Sequence, residues 1–303
     1  MNRLSPEKRQ AVIAALVEGN SIRATVRMTG VAKNTVTKLL VDMGTVCSIH
    51  QDRALRGLSC ERIQCDEIWA FCYAKERNVP ADKRGRFGFG DVWTWVAIDA
   101  DTKLVPTYRV GARDLQEATL FMTDLASRLA NRVQLTTDGH RPYLQAVRSA
   151  FKGEIDYAQL VKLYGVDPQG DRRYSPPIVT AAIPDPISGN PDPAKVSTSY
   201  VERQNLTMRM SMRRFTRLTN GFSKKVENLA AAVSLHFAHY NLCRPHSSLG
   251  KQTTPAMAAG LTDHVWTLHE LIGLLASAEA VPTKRGRYAK TRENRMVERG
   301  DST

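Results

Sequence analysis

Glu202 stands at the head of a segment otherwise dominated by arginine. From position 203 to 225 the basic residues are Arg203, Arg209, Arg213, Arg214, Arg217, Lys224 and Lys225, with no Asp or Glu among them. A carboxylate in that setting is placed to hold a divalent cation beside a polyanion, whose phosphates the basic surface would grip. Asp66 and Glu67 lie inside an apolar stretch, RIQCDEIWAFCY, where charge is costly to desolvate unless it faces a cation or solvent. Adjacent strand residues point to opposite faces, so at most one of the pair is expected at a given site. Asp138 closes VQLTT and is followed by Gly139. An acid at the C-terminal edge of an α/β strand is a common functional position, and equally an ordinary place for an aspartate that caps the next helix.

These acids need elements to position them. The stretch 62–73 reads as a strand, rich in β-favouring apolar residues. The loop 83–90, KRGRFGFG, is basic and glycine-rich but lacks Walker spacing and precedes a strand, so it carries no nucleotide role. A period-two strand follows over 91–99, then a turn holding Asp99 and Asp101 as turn acids, then a third strand over 104–110. Asp114 begins a helix to about 130, with Leu115, Ala118, Phe121, Met122, Leu125 and Leu129 on one face. A short strand over 133–137 delivers Asp138, and Pro142 opens another helix. From 153 to 196 the chain is irregular and proline-bearing, with short strands at 155–158 and 178–181 and a surface loop or hairpin tip at 185–193.

Upstream, Ser5-Pro6 caps a helix carrying Val12, Ile13, Leu16 and Val17. A second short helix ends at Thr29-Gly30-Val31, and a third bears Lys33, Asn34, Thr35, Thr37 and Lys38. Short helix, glycine turn and polar-faced helix form a helix-turn-helix pattern. Its last helix either enters a DNA major groove or presents a solvated face of a packing module. The span 46–61 reads as a linker.

The whole chain has 303 residues and a formal net charge of +13, with 42% hydrophobic and 24% charged residues. That size supports one large domain with small appendages, and that charge makes nucleic acid the first partner to consider. Apolar runs fall short of the roughly 18 residues of a membrane span, and the first residues, MNRLSPE, lack a signal-peptide core. The cysteines, Cys47, Cys60, Cys65, Cys72 and Cys243, form no CxxC pair. A zinc ribbon or disulfide framework is therefore unsupported, and a reducing bacterial cytoplasm, in association with the nucleoid, is expected.

The order of strand with Asp66, two strands, helix, strand with Asp138 and helix with Glu202 is similar to that of the RNase H-like fold of DDE transposases and retroviral-type integrases. CDEIWAFC, TTDGHRPYL and YVERQNLTMRMSMRRFTRLTNGFSKKVENLAAAVSLHFAHYN together resemble the insertion-sequence-one family of bacterial transposases, and YNLCRPHSSLGKQTTPAMA resembles the segment closing many integrase-like cores. The resemblance covers about 63–258. It implies that Asp66, Asp138 and Glu202 form a DDE triad holding two Mg²⁺ (or Mn²⁺) ions. Such ions, about 3.5–4 Å apart, clamp the attacking and leaving oxygens of an in-line phosphoryl displacement. The implied partners are double-stranded DNA, both element ends and target, and further copies of the chain in a synaptic complex; no membrane is involved. On a helix Glu202, Asn205, Arg209 and Arg213 share one face. Arg209 would contact phosphate and Asn205 would support a ligand or touch a base, while Arg203, Arg213 and Arg214 extend the DNA surface. His236, His239, Tyr240 and His246 read as structural.

The expected fold class is therefore α/β: an RNase H-like catalytic core, a mixed sheet flanked by helices, preceded by an all-α helix-turn-helix domain. The expected division is 1–45 helix-turn-helix, 46–61 linker, 62–260 catalytic domain with an insertion at about 153–197, and 261–303 a short helix and basic tail. The sequence departs from the family in lacking a Cys/His set for an N-terminal zinc element, and its insertion before Glu202 is long. A nuclease without strand transfer and a non-enzymatic helix-turn-helix regulator are the alternative readings.

Overall fold

A six-stranded mixed sheet carries the architecture of this computed structural model, which describes residues 4–165, 179–216 and 219–278. β1 (Arg62–Cys72), β2 (Gly90–Asp99) and β3 (Tyr108–Gly111) form an antiparallel meander, and β4 (Gln134–Asp138) and β5 (Asp156–Tyr164) run parallel to β1. β6 (Val179–Ser188) adds an antiparallel edge, giving the order β3-β2-β1-β4-β5-β6. The first five strands have the order and directions expected of an RNase H-like core, and β6 extends it.

Alternation along β1 divides two hydrophobic cores. Ile63 and Cys65 join Trp95, Leu135, Phe121, Met122, Leu125 and Tyr143 on one face. Ile68, Ala70, Val92, Val96 and Ile98 join the other. The helices that follow one another along the chain are α1 (Pro6–Val17), α2 (Ile22–Thr29), α3 (Lys33–Ala54), α4 (Leu115–Arg128), α5 (Pro142–Phe151), α6 (Ser199–Ser211), α7 (Val226–Ala238), α8 (Pro255–Ala258) and α9 (Leu268–Ala278). α4 and α5 cover the first face; α1, α3, α6, α7 and α9 bury their apolar sides on the second. α7 runs on into a π-helical turn, His239–Cys243.

Three expectations change. The segment read as a linker is helical through Ala54, because Met43, Gly44, Cys47 and Gln51 continue the buried stripe of α3. Polar Gln51 fits because its Nε2 donates to Cys47 O, Tyr108 Oη and Ser234 O, each at 3.1 Å. α1 and α3 thus share one core with the sheet. The third strand is shorter than 104–110, since the Asn241 side chain takes the place of a neighbouring strand at Val105. Asn241 Oδ1 accepts from Val105 N and its Nδ2 donates to Val105 O, both at 3.0 Å. Finally, β6 reaches Ser188 through the stretch expected to be a loop. Its Pro184 and Pro186 sit opposite Leu160 and Ala158, tolerable on an edge strand. Ile178, Arg217 and the basic tail at 284–292 lie outside the described residues.

Candidate active site

β1 and β4 are parallel neighbours, with Cys65 opposite Thr137. The next residue on each is an aspartate, so the register alone brings Asp66 and Asp138 side by side. Asp66, Glu67 and Asp138 each place one carboxylate oxygen within 4.8 Å of the others, a grouping able to hold a metal ion. Burial and the Asp138 charge push the Asp66 carboxyl up to about 7, and the same two causes do so for Glu67. In both, burial and the neighbouring carboxylate outweigh the cations nearby, Lys162 for Asp66 and Arg113 for Glu67. The Glu67 side chain is fully buried, and its Oε1 meets no hydrogen-bond partner. Hard oxygen donors of this kind fit Mg²⁺ or Mn²⁺.

Glu67 corrects the expectation that only one of two adjacent strand acids serves a site. Asp66 and Glu67 do leave the strand on opposite faces, since Cys65 and Ile68 fall in different cores. Their carboxylates nevertheless converge near Asp138, just past the last β1–β4 pair, Cys65 with Thr137, while β1 itself stays paired with β2. Asp66 Oδ1 accepts its neighbour's N–H at 2.8 Å. Arg113 Nε donates to Glu67 Oε2 at 3.0 Å, and Arg113 Nη2 lies 3.7 Å from Asp138 Oδ2. Asp138 Oδ1 accepts the His140 N–H at 3.0 Å, ordering the turn that leads into α5.

α6 is held against the same edge by β1. Gln64 Oε1, on the Asp66 face, accepts the N–H groups of Tyr200 at 2.8 Å and Val201 at 3.2 Å. These are donors that a helix start leaves without partners, and Thr198 supplies no side-chain cap. One turn on, Asn205 Nδ2 donates to Asp66 Oδ2 at 2.9 Å. Asn205 thus contacts the Asp66 carboxylate directly. Glu202, in the first turn, is not part of the carboxylate group. It is paired with Lys162 of β5 and accepts from Thr198 Oγ1, yet it stands near enough to raise Asp66 electrostatically.

No family model matches the chain, and no curated protein matches it in sequence. Two of the solved structures that resemble it are the following. The Mos1 mariner paired end complex with Mn has a TM-score of 0.33 at 11% identity, covering 91% of this chain and 79% of that one. The piggyBac transposase synaptic complex with hairpin DNA has a TM-score of 0.37 at 10% identity, covering 94% and 75%. Likenesses that loose settle no function, and the geometry above carries the reading.

The expected DNA-facing residues divide. Lys33, Asn34 and Lys38 are exposed on the first turns of α3, with Thr35 and Thr37 half-buried between them; Lys38 is paired with Asp42. Arg203 is exposed on α6, whereas Arg213, expected on the same helix face, is exposed in the turn that follows the end of α6 at Ser211. Arg209 lies one turn beyond Asn205 and has a partner of its own. Arg214 turns inward instead. It is half-buried, its Nε donates to Ser223 Oγ at 2.8 Å, and desolvation brings its pKa down to about 10. Gln64, Arg113 and Lys162 were not legible as site residues. Gln64 alone left a signal, a polar residue two before Asp66 on the same strand face.

Proposed function

We propose that the chain is a DDE-type DNA transposase that binds the ends of an insertion sequence, cleaves DNA strands there and joins them to a target. The observation that carries this reading is the convergence of three elements on one sheet edge. β1 and β4 supply Asp66 and Asp138 side by side, and α6, pinned by Gln64 and Asn205, carries Glu202 to the same edge. In this reading Asp66, Asp138 and Glu202 are the catalytic carboxylates and hold the divalent ions. A bound Mg²⁺ or Mn²⁺ pair would supply Lewis-acid polarisation of the scissile phosphate.

The chain's own residues do the rest. Asn205 fixes one oxygen of Asp66 and leaves the carboxylate aimed by its other bond to the Glu67 N–H. Lys162 neutralises Glu202 while no cation competes for it. Arg203 on α6 and Arg213 in the turn after it extend the phosphate surface, and Lys33, Asn34 and Lys38 face DNA from α3. Two or more copies assemble to bring two ends together. No helix among the described residues is long and apolar enough to cross a membrane.

The test is strand joining between a fragment carrying the inverted repeat that flanks the gene and a target plasmid, with Mg²⁺ or Mn²⁺. Joining should appear with the wild type and vanish with Asp66→Asn, Asp138→Asn and Glu202→Gln. Joining that survives any of the three sinks the assignment. Cleavage without joining would favour the nuclease reading, and metal-independent binding with neither step would favour the regulator.

A further inference from the structure

β1 and β2 outrun the helices that cover their α4/α5 face. On that face Trp95 is fully buried, whereas Trp93 and Trp69, opposite each other in register, are half-exposed. The half-exposed aromatics continue away from the carboxylates. Trp69 lies 5.7 Å from Phe71, and Phe71 lies 4.7 Å from Phe222, in the loop before α7. Tyr73 and Phe89 close the band with an edge-on contact at 5.1 Å.

Cations sit over these rings. Arg113 stacks on Trp93 at 4.7 Å, Lys224 on Phe222 at 4.4 Å, and Lys83 on Tyr73 at 4.9 Å. The acids these three cations meet are Glu67 and Asp138, both at the inner end with Arg113, and Asp82 at 3.9 Å from Lys83; Asp91, opposite Phe71 in register, is a further exposed acid beside the band. Soluble proteins do not ordinarily leave a run of half-exposed aromatics on one sheet face. Aromatic faces interleaved with cations are the composition of a platform on which unpaired bases stack while their phosphates are held.

We propose that this band binds a single-stranded segment of DNA leading into or out of the carboxylate site, with bases stacked along Trp93, Trp69 and Phe222 and phosphates held by Lys83 and Lys224. Charge complementarity and continuity with the site through Arg113 select this occupant. A duplex, whose bases are already stacked, offers the rings nothing. The choice of DNA rests on the function proposed above, but the stacking surface is independent of catalysis.

The experiment is equilibrium binding of fluorescein-labelled oligo-dT and of a duplex of equal length, in EDTA so that no strand is cut, with intrinsic tryptophan emission as second readout. Oligo-dT should bind and quench tryptophan emission. Trp69→Ala and Phe222→Ala should each weaken oligo-dT at least about fivefold, as expected for one stacked base, with duplex affinity unchanged. Trp69→Tyr, which keeps a stacking face, should restore binding, separating stacking from a folding defect. Unchanged oligo-dT affinity in both alanine variants, or equal losses for single strand and duplex, would overturn the proposal. Single-strand binding by a protein without joining activity would sink the transposase reading and leave this one standing; joining with no single-strand preference would do the reverse.

Discussion

Buried titratable side chains in this protein divide by whether a charge stands ready to answer them. Glu67 has Arg113 on one oxygen and the neutral Tyr143 hydroxyl near its carboxyl, so a cation beside it would still meet charge left unanswered. His236 is the opposite case. Its ring is buried in the α7 core against Phe237 at 5.1 Å, its Nε2 has no hydrogen-bond partner, and His239 and Arg244 add positive charge nearby. Desolvation, reinforced by those two neighbours, brings its pKa down from 6.5 to about 3. In the unfolded chain His236 takes up a proton near 6.5, whereas in the folded chain it stays neutral to about 3. Stability from this group is therefore present above pH 6.5 and is lost as pH falls from 6.5 toward 3. The slope from one such group is at most about 1.4 kcal/mol per pH unit. Denaturant unfolding of wild type and His236→Leu at pH 4, 5, 6 and 7 checks this. The variant should show the shallower decline below pH 6.5, and parallel curves would mean that His236 does not stay neutral in the fold.

Helices and strands depend on close approaches that side-chain patterning does not announce. Gly44 lies midway along α3, where a glycine ordinarily weakens a helix. A Cβ there would come within 2.4 Å of the Ala231 backbone on α7, so the glycine sets the distance between the two helices. Gly44→Ala must push α3 and α7 apart, an overpacking cost of about 1–3 kcal/mol. Thermal melting should show a Tm several degrees lower, and an unchanged or higher Tm would show that the helices separate freely. Such contacts explain what sequence patterning can and cannot convey. The positions of Asp66 and Asp138 and the order of strands could be read because apolar, β-favouring residues flank Asp66 in β1 and Asp138 closes the short strand β4, and α4 was bounded by its Asp114 cap. The length of α3 was hidden because Gln51, Asp52 and Arg53 look like loop residues until Ser234 and Tyr108 supply Gln51's partners. Glu67 was discounted by a rule about strand faces, yet where the β1–β4 ladder stops at Cys65 and Thr137 carboxylates from both faces of β1 come close to Asp138. Lys162 and Gln64 act across 40 and 136 residues of sequence, a separation no local pattern reports.

At the scale of the whole molecule, α3 presents two contrasting sides. The outward side of α3 carries Lys33, Asn34 and Lys38, while its inward side places Val36, Leu40, Met43 and Cys47 in the core that Ile68, Val96, Val233 and Phe237 also occupy. A DNA-recognition module on a free tether could search for its site independently of the catalytic sheet. Under the function proposed above, α3 built into the core would be fixed relative to Asp66 and Asp138, so a bound end would arrive with a set offset from the carboxylates. The same construction forbids cutting the chain between them. Deleting residues 1–54 strips α1, α2 and α3 from one sheet face and exposes α7, a loss of burial that a marginally stable fold does not survive. The truncated chain should be insoluble or should melt without a cooperative transition by circular dichroism and calorimetry. A soluble 55–303 fragment with a sharp transition near that of the full chain would show that the recognition helices are a separable domain, and the fixed offset between DNA end and carboxylates would fall with it.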